Sequence, residues 1–302
     1  QTKQMELAVT GMLFSQLALG VAINGFIVGT YLLEWRKKRS LRMTDVVLVC
    51  LAVNRFLWQL FHTLGSVFSF VQVVVTITYQ VVYSVCAFLN WSGLWLASVL
   101  SVIHCVKISN YNNWLFINLK RRICWLVQWL LLANLLTSLA FTLALVYLLW
   151  NQKVNLCASW KGPTGSARRY CNIHQHFMAV ALPFTLYCLA ALLLLNSLWR
   201  HVRQMRISGT SFRSRSVDAH VGVLMKLAVS LLLYAVYYVT DTLGLYGQLE
   251  TPWLLFCFVI CCFYPTAHSL VLIYSNSRLR KACVATIRGA MSWEKSRSVD
   301  AH

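Results

Sequence analysis

Charged side chains are scarce in this chain, and acidic ones are the scarcest. Asp and Glu together number 8 among 302 residues, and charged residues of both signs make up 12%, whereas a soluble domain usually has about 25%. The length alone would suit two soluble domains. The composition excludes them, because 59% of the residues are hydrophobic and too little polar surface remains to cover such domains.

The patterns that mark enzymes and metal sites are missing as well. The chain has no His-Glu-x-x-His, no glycine-rich phosphate loop and no paired carboxylates within an apolar segment; a proton-coupled transporter normally has such a pair. His174 and His176 lack a third ligand nearby, and the adjacent Cys261 and Cys262 point in different directions on a helix. We therefore expect no enzyme activity, no metal and no cofactor.

What the chain does have is seven long apolar stretches. Each exceeds the ~20 residues that a helix rising ~1.5 Å per residue needs to cross ~30 Å of hydrocarbon. The pattern predicts an all-α membrane protein, a seven-transmembrane-helix bundle occupying residues 1–276, followed by a cytoplasmic tail at 277–302. The predicted spans are 7–33, 44–70, 80–106, 123–149, 174–199, 221–246 and 252–275.

The positive charges give the bundle a direction. Basic residues concentrate in the connections after spans one, three and five and in the tail, and positive charge marks the cytoplasmic side. The N-terminus is therefore predicted to be extracellular, and contact with anionic lipid accounts for most of this charge rather than nucleic acid. The cytoplasmic set is Arg36, Lys37, Lys38, Arg39, Arg42, Lys107, Lys120, Arg121, Arg122, Arg200, Arg203, Arg206, Arg213, Arg215, Arg278, Arg280, Lys281, Arg288, Lys295 and Arg297.

Further predictions concern the connections between the spans and the tail. Cys157 and Cys171 share an outside loop and are candidates for one disulfide. The basic, Ser-rich segment 200–220 is predicted to be a mobile cytoplasmic loop. In the tail, Leu279, Cys283, Ile287 and Met291 recur at helical spacing between basic residues, which predicts an amphipathic helix on the inner leaflet. The segment SRSVDAH, which occurs at 214–220 and 296–302, is either a repeated docking or phosphorylation motif or a duplication.

One charge lies deep in the membrane. Arg55 is about 16 Å into span two, near the midplane, where charge is costly and usually functional. Its expected partners are Asn24 in span one and the pair His268 and Ser269 in span seven. Arg55 either locks these three helices together permanently or forms a switch that opens on activation. Both alternatives remain, and a lock that breaks on activation would combine them.

Polar and aromatic residues in the outer half predict a ligand pocket. Tyr234, Tyr237 and Tyr238 follow helical spacing with Asp241 in span six, and an apolar, aromatic cavity with a few polar groups is the usual small-molecule site. Packing is the competing explanation for such stripes. Span three has no carboxylate, so an obligate cationic ligand is not indicated. The predicted ligand-binding set is Tyr83, Cys86, Asn90, Trp91, Phe177, Tyr237, Tyr238, Asp241 and Phe258.

Seven spans with an outside N-terminus indicate a G-protein-coupled receptor, and five segments narrow this further. The rhodopsin-like Asp-Arg-Tyr, Cys-Trp-x-Pro and Asn-Pro-x-x-Tyr motifs are absent. The chain instead resembles the type 2 (bitter) taste receptors, and this resemblance runs through nearly the whole chain. It is carried by LAVNRF (51–56), LWLASVLSVIHCVKISN (94–110), LPFTLYCLAALLLLNSLWRHVRQM (182–205), AHVGVLMKLAVSLLLY (219–234) and HSLVLIYSNSRLR (268–280).

The resemblance implies a multi-pass plasma-membrane receptor for small bitter compounds that couples to a heterotrimeric G protein of the gustducin or inhibitory type. Arg55 matches the span-two arginine, and Asn90 matches the span-three asparagine of the ligand site. The predicted switch residues are Asn24, Arg55, Tyr234, His268 and Ser269, of which all but Asn24 match the family pattern. The residues expected to face the G protein are Lys107, His201, Arg203, Met205, His220 and Lys226.

The chain departs from the family pattern at two helices. Cys86 stands where many members have a tryptophan one turn before the asparagine, so the pocket is expected to be wider and less able to stack on a ligand. Lys226 is one position later than the family lysine, which rotates it by ~100° about the helix. A type 1 vomeronasal pheromone receptor is the closest alternative, and a membrane transporter is the alternative of another class.

Overall fold

The computed structural model describes residues 2–71, 76–109, 114–151, 165–207, 214–246 and 251–299. Within these ranges the regular structure is entirely helical. The helices, in chain order, are α1 (Thr2–Lys38), α2 (Met43–Val71), α3 (Thr76–Ile108), α4 (Trp114–Arg121), α5 (Ile123–Asn151), α6 (Gly165–Ile207), α7 (Ser214–Tyr246), α8 (Thr251–Ser275) and α9 (Ser277–Val299).

Seven of these helices are long and apolar enough to cross a membrane, and each coincides with one of the predicted stretches. The spanning parts are Gly11–Lys38 of α1, Met43–Val67 of α2, Gln80–Ile108 of α3, Ile123–Leu148 of α5, Phe177–Gln204 of α6, Val223–Gly244 of α7 and Phe256–Ser275 of α8. The predicted seven-helix membrane bundle is confirmed.

The spanning helices form a ring, with α3 at its most enclosed position. α1 packs on α2, α2 on α3, α3 on α6, α6 on α7, α7 on α8, and α8 returns to α1. α5 lies against α3 from outside, and its many exposed leucines suit a surface that faces lipid. α3 contacts α2, α5 and α6, so residues on α3 are placed to join both halves of the bundle.

Among the described residues, three apolar cores fill the ring. One, toward the arginine-rich end, packs Tyr31, Leu51 and Ile103 with Leu279 at the start of α9. The second is aromatic and lies between α3, α6, α7 and α8, with Tyr187, Tyr234, Tyr237 and Tyr264 among its buried members. The third and smallest packs Cys105 of α3 against Leu194 and Leu198 of α6.

Prolines interrupt α6 at Pro183 and α8 at Pro265, as expected from the sequence. A proline inside a helix removes one backbone hydrogen bond and kinks the helix. The Ser98 hydroxyl of α3 donates to the Pro183 carbonyl at 2.7 Å, and this bond ties α3 to α6 at the kink.

The prediction of a loop over 200–220 is wrong for the part of that segment that the structure describes. α6 continues to Ile207 and α7 already begins at Ser214. Arg200, Arg203 and Arg206 recur every three residues, so they lie along a helix and can remain solvated beyond the membrane without ending it. Residues 208–213 lie outside the described ranges.

Other local features either differ from the sequence predictions, agree with them or leave them untested. α4 was not expected, and α6 begins at Gly165, nine residues before the predicted span. The tail helix predicted from residue 277 is present as α9. The Cys157–Cys171 pairing stays a prediction, because Cys157 and the side chain of Cys171 lie outside what the structure describes.

Candidate functional site

The guanidinium of Arg55 is held between three helices at the centre of the bundle. Its Nη1 donates to the Ser269 hydroxyl at 2.7 Å, and its Nη2 contacts Nδ1 of His268. Because arginine has only donors, Nδ1 must accept, which places the proton of a neutral His268 ring on Nε2. Arg55 is 4% exposed, so these partners replace the water that it lacks.

Ser269 connects Arg55 to α1 through a second hydrogen bond. Its hydroxyl donates to Oδ1 of Asn24 at 2.8 Å, and the Asn24 amide donates to the Gly20 carbonyl at 3.0 Å. Both Asn24 and Ser269 are fully buried. We call Asn24, Arg55, His268 and Ser269 the arginine lock. Of the predicted partners, His268 and Ser269 contact Arg55 directly, whereas Asn24 is connected to it only through Ser269; a switching role stays a prediction.

A second polar layer joins the same three helices about one turn further from the arginine-rich end. Gln59 Nε2 donates to the Thr266 hydroxyl at 2.7 Å, and that hydroxyl donates to Gln16 Oε1 at 3.2 Å. Gln59 follows Arg55 by four residues on α2, which stacks the two layers directly on one another.

On the other side of the bundle, Asn90 of α3 and Tyr237 of α7 meet. The Tyr237 hydroxyl donates to Asn90 Oδ1 at 3.0 Å. Tyr237 is 2% exposed, whereas Asn90 is half-buried. The structure thus brings together two members of the predicted ligand-binding set that lie 147 positions apart in the sequence.

Aromatic rings connect this pair to the arginine lock. The rings of Tyr237 and Tyr264 lie 4.6 Å apart between centroids, and Tyr264 stacks on His268 at 5.7 Å. The rings of Tyr264 and His268 thus lie in continuous contact between Tyr237 and Arg55.

Two further tyrosines of α7, Tyr234 and Tyr238, pack on α6. Tyr238 stacks on Phe184 at 4.3 Å and contacts Phe177 at 6.5 Å. Tyr234 packs edge-on against both Phe184 and Tyr187, and it lies 5.8 Å from Tyr264. Tyr234, predicted as a switch residue, thus occupies the junction of α6, α7 and α8.

The other members of the predicted ligand-binding set are more scattered. Tyr83 and Phe177 are exposed, and Cys86 and Asp241 are half-buried. Trp91 is buried and meets Phe141 of α5 at 6.0 Å, and Phe258 contacts His62 of α2 at 5.3 Å. The structure groups Asn90, Tyr237 and Tyr238 with α6 and α8, and it places Phe258 toward α1 and α2. Among the described residues, no three His, Cys, Asp or Glu side chains are placed to hold a metal ion.

The residues expected to face a G protein lie at the arginine-rich end where they are described. Lys107, His201 and Arg203 are exposed, and Lys107 Nζ bonds the Thr44 hydroxyl of α2. Lys226 is half-buried, with its Nζ 4.7 Å from the ring centre of Tyr274 on α8. Lys226, which is one position later than the family lysine, therefore makes a cation–π contact with Tyr274. The side chains of Met205 and His220 lie outside the described part of the chain.

An ionic cluster at the same end attaches α9 to the bundle. Arg278 Nη1 contacts Glu34 of α1 at 2.9 Å and Asp45 of α2 at 3.3 Å, and Arg42 also pairs with Asp45. The Asn276 amide beside it donates to the Tyr31 hydroxyl at 2.9 Å. Two of the chain's few carboxylates thus fix the start of the tail helix.

Several residues of this site were not predicted from the sequence. Tyr264 precedes His268 by four residues, a spacing that would place the two rings on one helix face, yet no pocket argument singled it out. Gln16, Gln59 and Thr266 are uncharged, so no depth argument applied to them. Glu34 and Asp45 are flanked by basic residues in the sequence, and from this their ion pairs could have been predicted.

Comparisons with known proteins identify the family. The family model described as taste receptor protein (TAS2R) matches residues 2–291. The chain is 31% identical over 296 residues to taste receptor type 2 member 30 of Homo sapiens, covering 94% of this chain and 91% of that protein. It is 30% identical over 289 residues to members 46 and 43 of the same species, covering 92% of each chain. The chain belongs to the type 2 taste receptor family.

Family membership settles the broad class of this receptor. A taste receptor is a G-protein-coupled receptor and not an enzyme, and seven spanning helices make this one a multi-pass membrane protein. The match also favours taste over the vomeronasal and transporter alternatives. It does not identify a ligand, so the ligand-site residues depend on the geometry described above.

Proposed function

We propose that this receptor binds small bitter compounds within the outer half of its helix bundle and activates a heterotrimeric G protein of the gustducin or inhibitory type. It does so at the plasma membrane, with its N-terminus outside. The observation that carries the proposal is the Tyr237–Asn90 hydrogen bond and its continuation through Tyr264 and His268 to Arg55.

The proposed ligand site is the region around Asn90, Tyr237 and Tyr238. A compound with hydrogen-bonding groups can bond to both the Tyr237 hydroxyl and the Asn90 amide in place of their bond to each other, while its apolar body contacts the rings of Tyr238 and Phe184. Only a compound that binds one conformation better than the other shifts the equilibrium. The proposed signal is a shift of Tyr237 that moves Tyr264, and with it the ring that accepts from Arg55.

The cytoplasmic surface in this proposal is the exposed basic end of the bundle. Lys107 on α3 and His201 and Arg203 on α6 lie there, and positive surfaces attract acidic partners. The proposed role of the arginine lock is to hold α1, α2 and α8 together at rest. Its release would free α8, which contacts α7, and α7 in turn contacts α6, so that the cytoplasmic end of the bundle can open to admit the G protein.

The ligand-site prediction can be tested with Tyr237→Phe and Asn90→Ala in cells carrying a promiscuous G protein. We expect agonist potency to fall at least tenfold in both variants, because one buried hydrogen bond to a ligand is worth about 1.5 kcal/mol. The phenylalanine variant keeps the ring that contacts Tyr264, so its loss reports on the hydroxyl alone. The readout is a dose–response curve for each active compound in a panel of bitter compounds.

Tyr147→Phe is the matched control. Tyr147 is a tyrosine of α5 with 65% of its surface exposed, so removal of its hydroxyl should leave potency unchanged. Surface protein is measured in parallel to separate signalling from expression. Unaltered potency in both Asn90→Ala and Tyr237→Phe would reject this placement of the ligand.

A further inference from the structure

The ammonium group of Lys226 on α7 lies over an aromatic ring of α8 at the arginine-rich end of the bundle. Its Nζ is 4.7 Å from the ring centre of Tyr274. Lys226 is the fourth residue of the spanning part of α7, and Tyr274 is the last but one of α8, so the two side chains meet where both helices leave the membrane. A cation is attracted to the face of an aromatic ring, which carries partial negative charge.

This end of α7 is held by different contacts from the rest of the helix. Ten residues earlier on α8, hence ~15 Å away, the Tyr264 ring meets Tyr237 of α7 at 4.6 Å between centroids. Near Lys226, the side chains of Leu224 and Leu227 pack on the small apolar core between α3 and α6. Lys226 lies on another face of α7 and attaches this end of the helix to α8.

The ring that receives Lys226 belongs to a firmly attached part of the bundle. Two residues after Tyr274, the Asn276 amide donates to the Tyr31 hydroxyl of α1 at 2.9 Å. Two residues further, Arg278 contacts carboxylates of both α1 and α2. The Lys226–Tyr274 contact thus connects α7 to the helices that this ionic cluster holds together.

The ring also replaces an ion pair for Lys226. The ion pairs described at this end use Glu34 and Asp45 and do not include Lys226. Lys226 is half-buried, so its ammonium is only partly hydrated, and the ring face offsets part of the lost hydration. The attraction requires the cation to lie within ~6 Å of the ring centre, so a separation of the two helices by about 2 Å at this end would break it.

We propose that the Lys226–Tyr274 contact is a clasp that stabilises the closed arrangement of α7 and α8 and breaks when this end of α7 moves away. In this role Lys226 faces α8 and not the G protein, which differs from the prediction made from the sequence. The clasp acts between α7 and α8, whereas the arginine lock joins α1, α2 and α8. Its effect on signalling rests on the proposed coupling to a G protein, but the clasp itself does not.

Thermal unfolding of the purified full-length receptor without ligand tests the clasp directly. Lys226→Met removes the charge and keeps the unbranched stem, and Tyr274→Leu removes the ring. We expect each change to lower the Tm, and the double variant to lower it no further than the more affected single variant, because the contact can be lost only once. Tyr274→Phe keeps the ring and should leave the Tm unchanged. Losses that add fully in the double variant would overturn the clasp, whatever the receptor does with a G protein.

Ligand-free nucleotide exchange on a purified heterotrimeric G protein tests what the clasp controls. Lys226→Met and Tyr274→Leu should each raise this basal exchange about threefold, the population change that a partly exposed cation–π contact supports. Tyr274→Phe should not raise it. Lys281→Met is the matched control, because it removes one positive charge from an exposed position of α9 at the same end and should leave basal exchange unchanged.

The same assay separates the clasp from a contact between Lys226 and the G protein. If Lys226 binds the G protein, Lys226→Met lowers the exchange that an active bitter compound drives, and Tyr274→Leu leaves basal exchange unchanged; that pair of results would overturn the proposed role. The unmodified receptor is measured with the panel of bitter compounds in parallel. A lack of response there would count against the proposed function, and the unfolding experiment would still decide whether the clasp exists.

Discussion

Among single residues, the arginine at the membrane midplane was the one whose partners could be predicted from the sequence. A charge at that depth requires polar partners, and the apolar neighbouring spans offered few, so Asn24, His268 and Ser269 followed from sequence. The direction of each hydrogen bond did not follow, because it depends on side-chain geometry. Nor did Tyr264, whose importance arises only from its contacts with Tyr237 and His268.

Ser269→Ala tests whether the arginine lock holds the resting state. The change leaves Arg55 Nη1 and Asn24 Oδ1 without their shared hydroxyl, and interhelical bonds in membranes contribute about 1 kcal/mol. We expect basal G-protein activation to rise about fivefold, the population change that 1 kcal/mol supports. The measurement is ligand-free signalling normalised to surface protein.

Ser15→Ala provides the comparison for that experiment. Ser15 is exposed and its hydroxyl bonds only the Gly11 carbonyl of its own helix, so basal signalling should not change. A Ser269→Ala receptor with normal surface level and unchanged basal signalling would show that the lock is structural only.

At the scale of helices, hydropathy located the seven spans but not the helical ends outside the membrane. Apolar length reports only on the hydrocarbon part, so the extensions of α6 and α7 past the membrane and the short α4 carried no such signal. Close helix contacts were equally hidden. At Gly20, a β-carbon would lie 1.7 Å from Gln59 Oε1, which shows that the Gln59 side chain of α2 lies directly against the backbone of α1.

Gly20→Ala should weaken the contact between α1 and α2. The new methyl group displaces the Gln59 side chain and breaks its bond to Thr266. Gly25→Ala is the matched control, because a β-carbon there has no atom within 4 Å. The control cancels the gain in helix propensity, so we expect Gly20→Ala to be about 1–2 kcal/mol less stable than Gly25→Ala. Thermal unfolding of both purified variants measures the difference, and equal Tm values would contradict the packing at Gly20.

At the scale of the whole molecule, the ring of helices separates two tasks. One side, formed by α3, α6, α7 and α8, carries the aromatic contacts around Tyr237; the other, formed by α1, α2 and α8, carries the stacked polar layers and the ionic cluster at Arg278. α8 belongs to both sides. The charges predict an orientation in the membrane, but they do not predict this division, because it depends on which helices become neighbours.

In the proposed mechanism, occupancy near Tyr237 changes the cytoplasmic end of the bundle. Nucleotide exchange on a purified heterotrimeric G protein measures this change, with the receptor in nanodiscs and a panel of bitter compounds as ligands. We expect at least one compound to accelerate exchange, and Tyr237→Phe to shift its dose–response curve at least tenfold while Tyr147→Phe does not. An active compound whose curve is the same in all three receptors would contradict it.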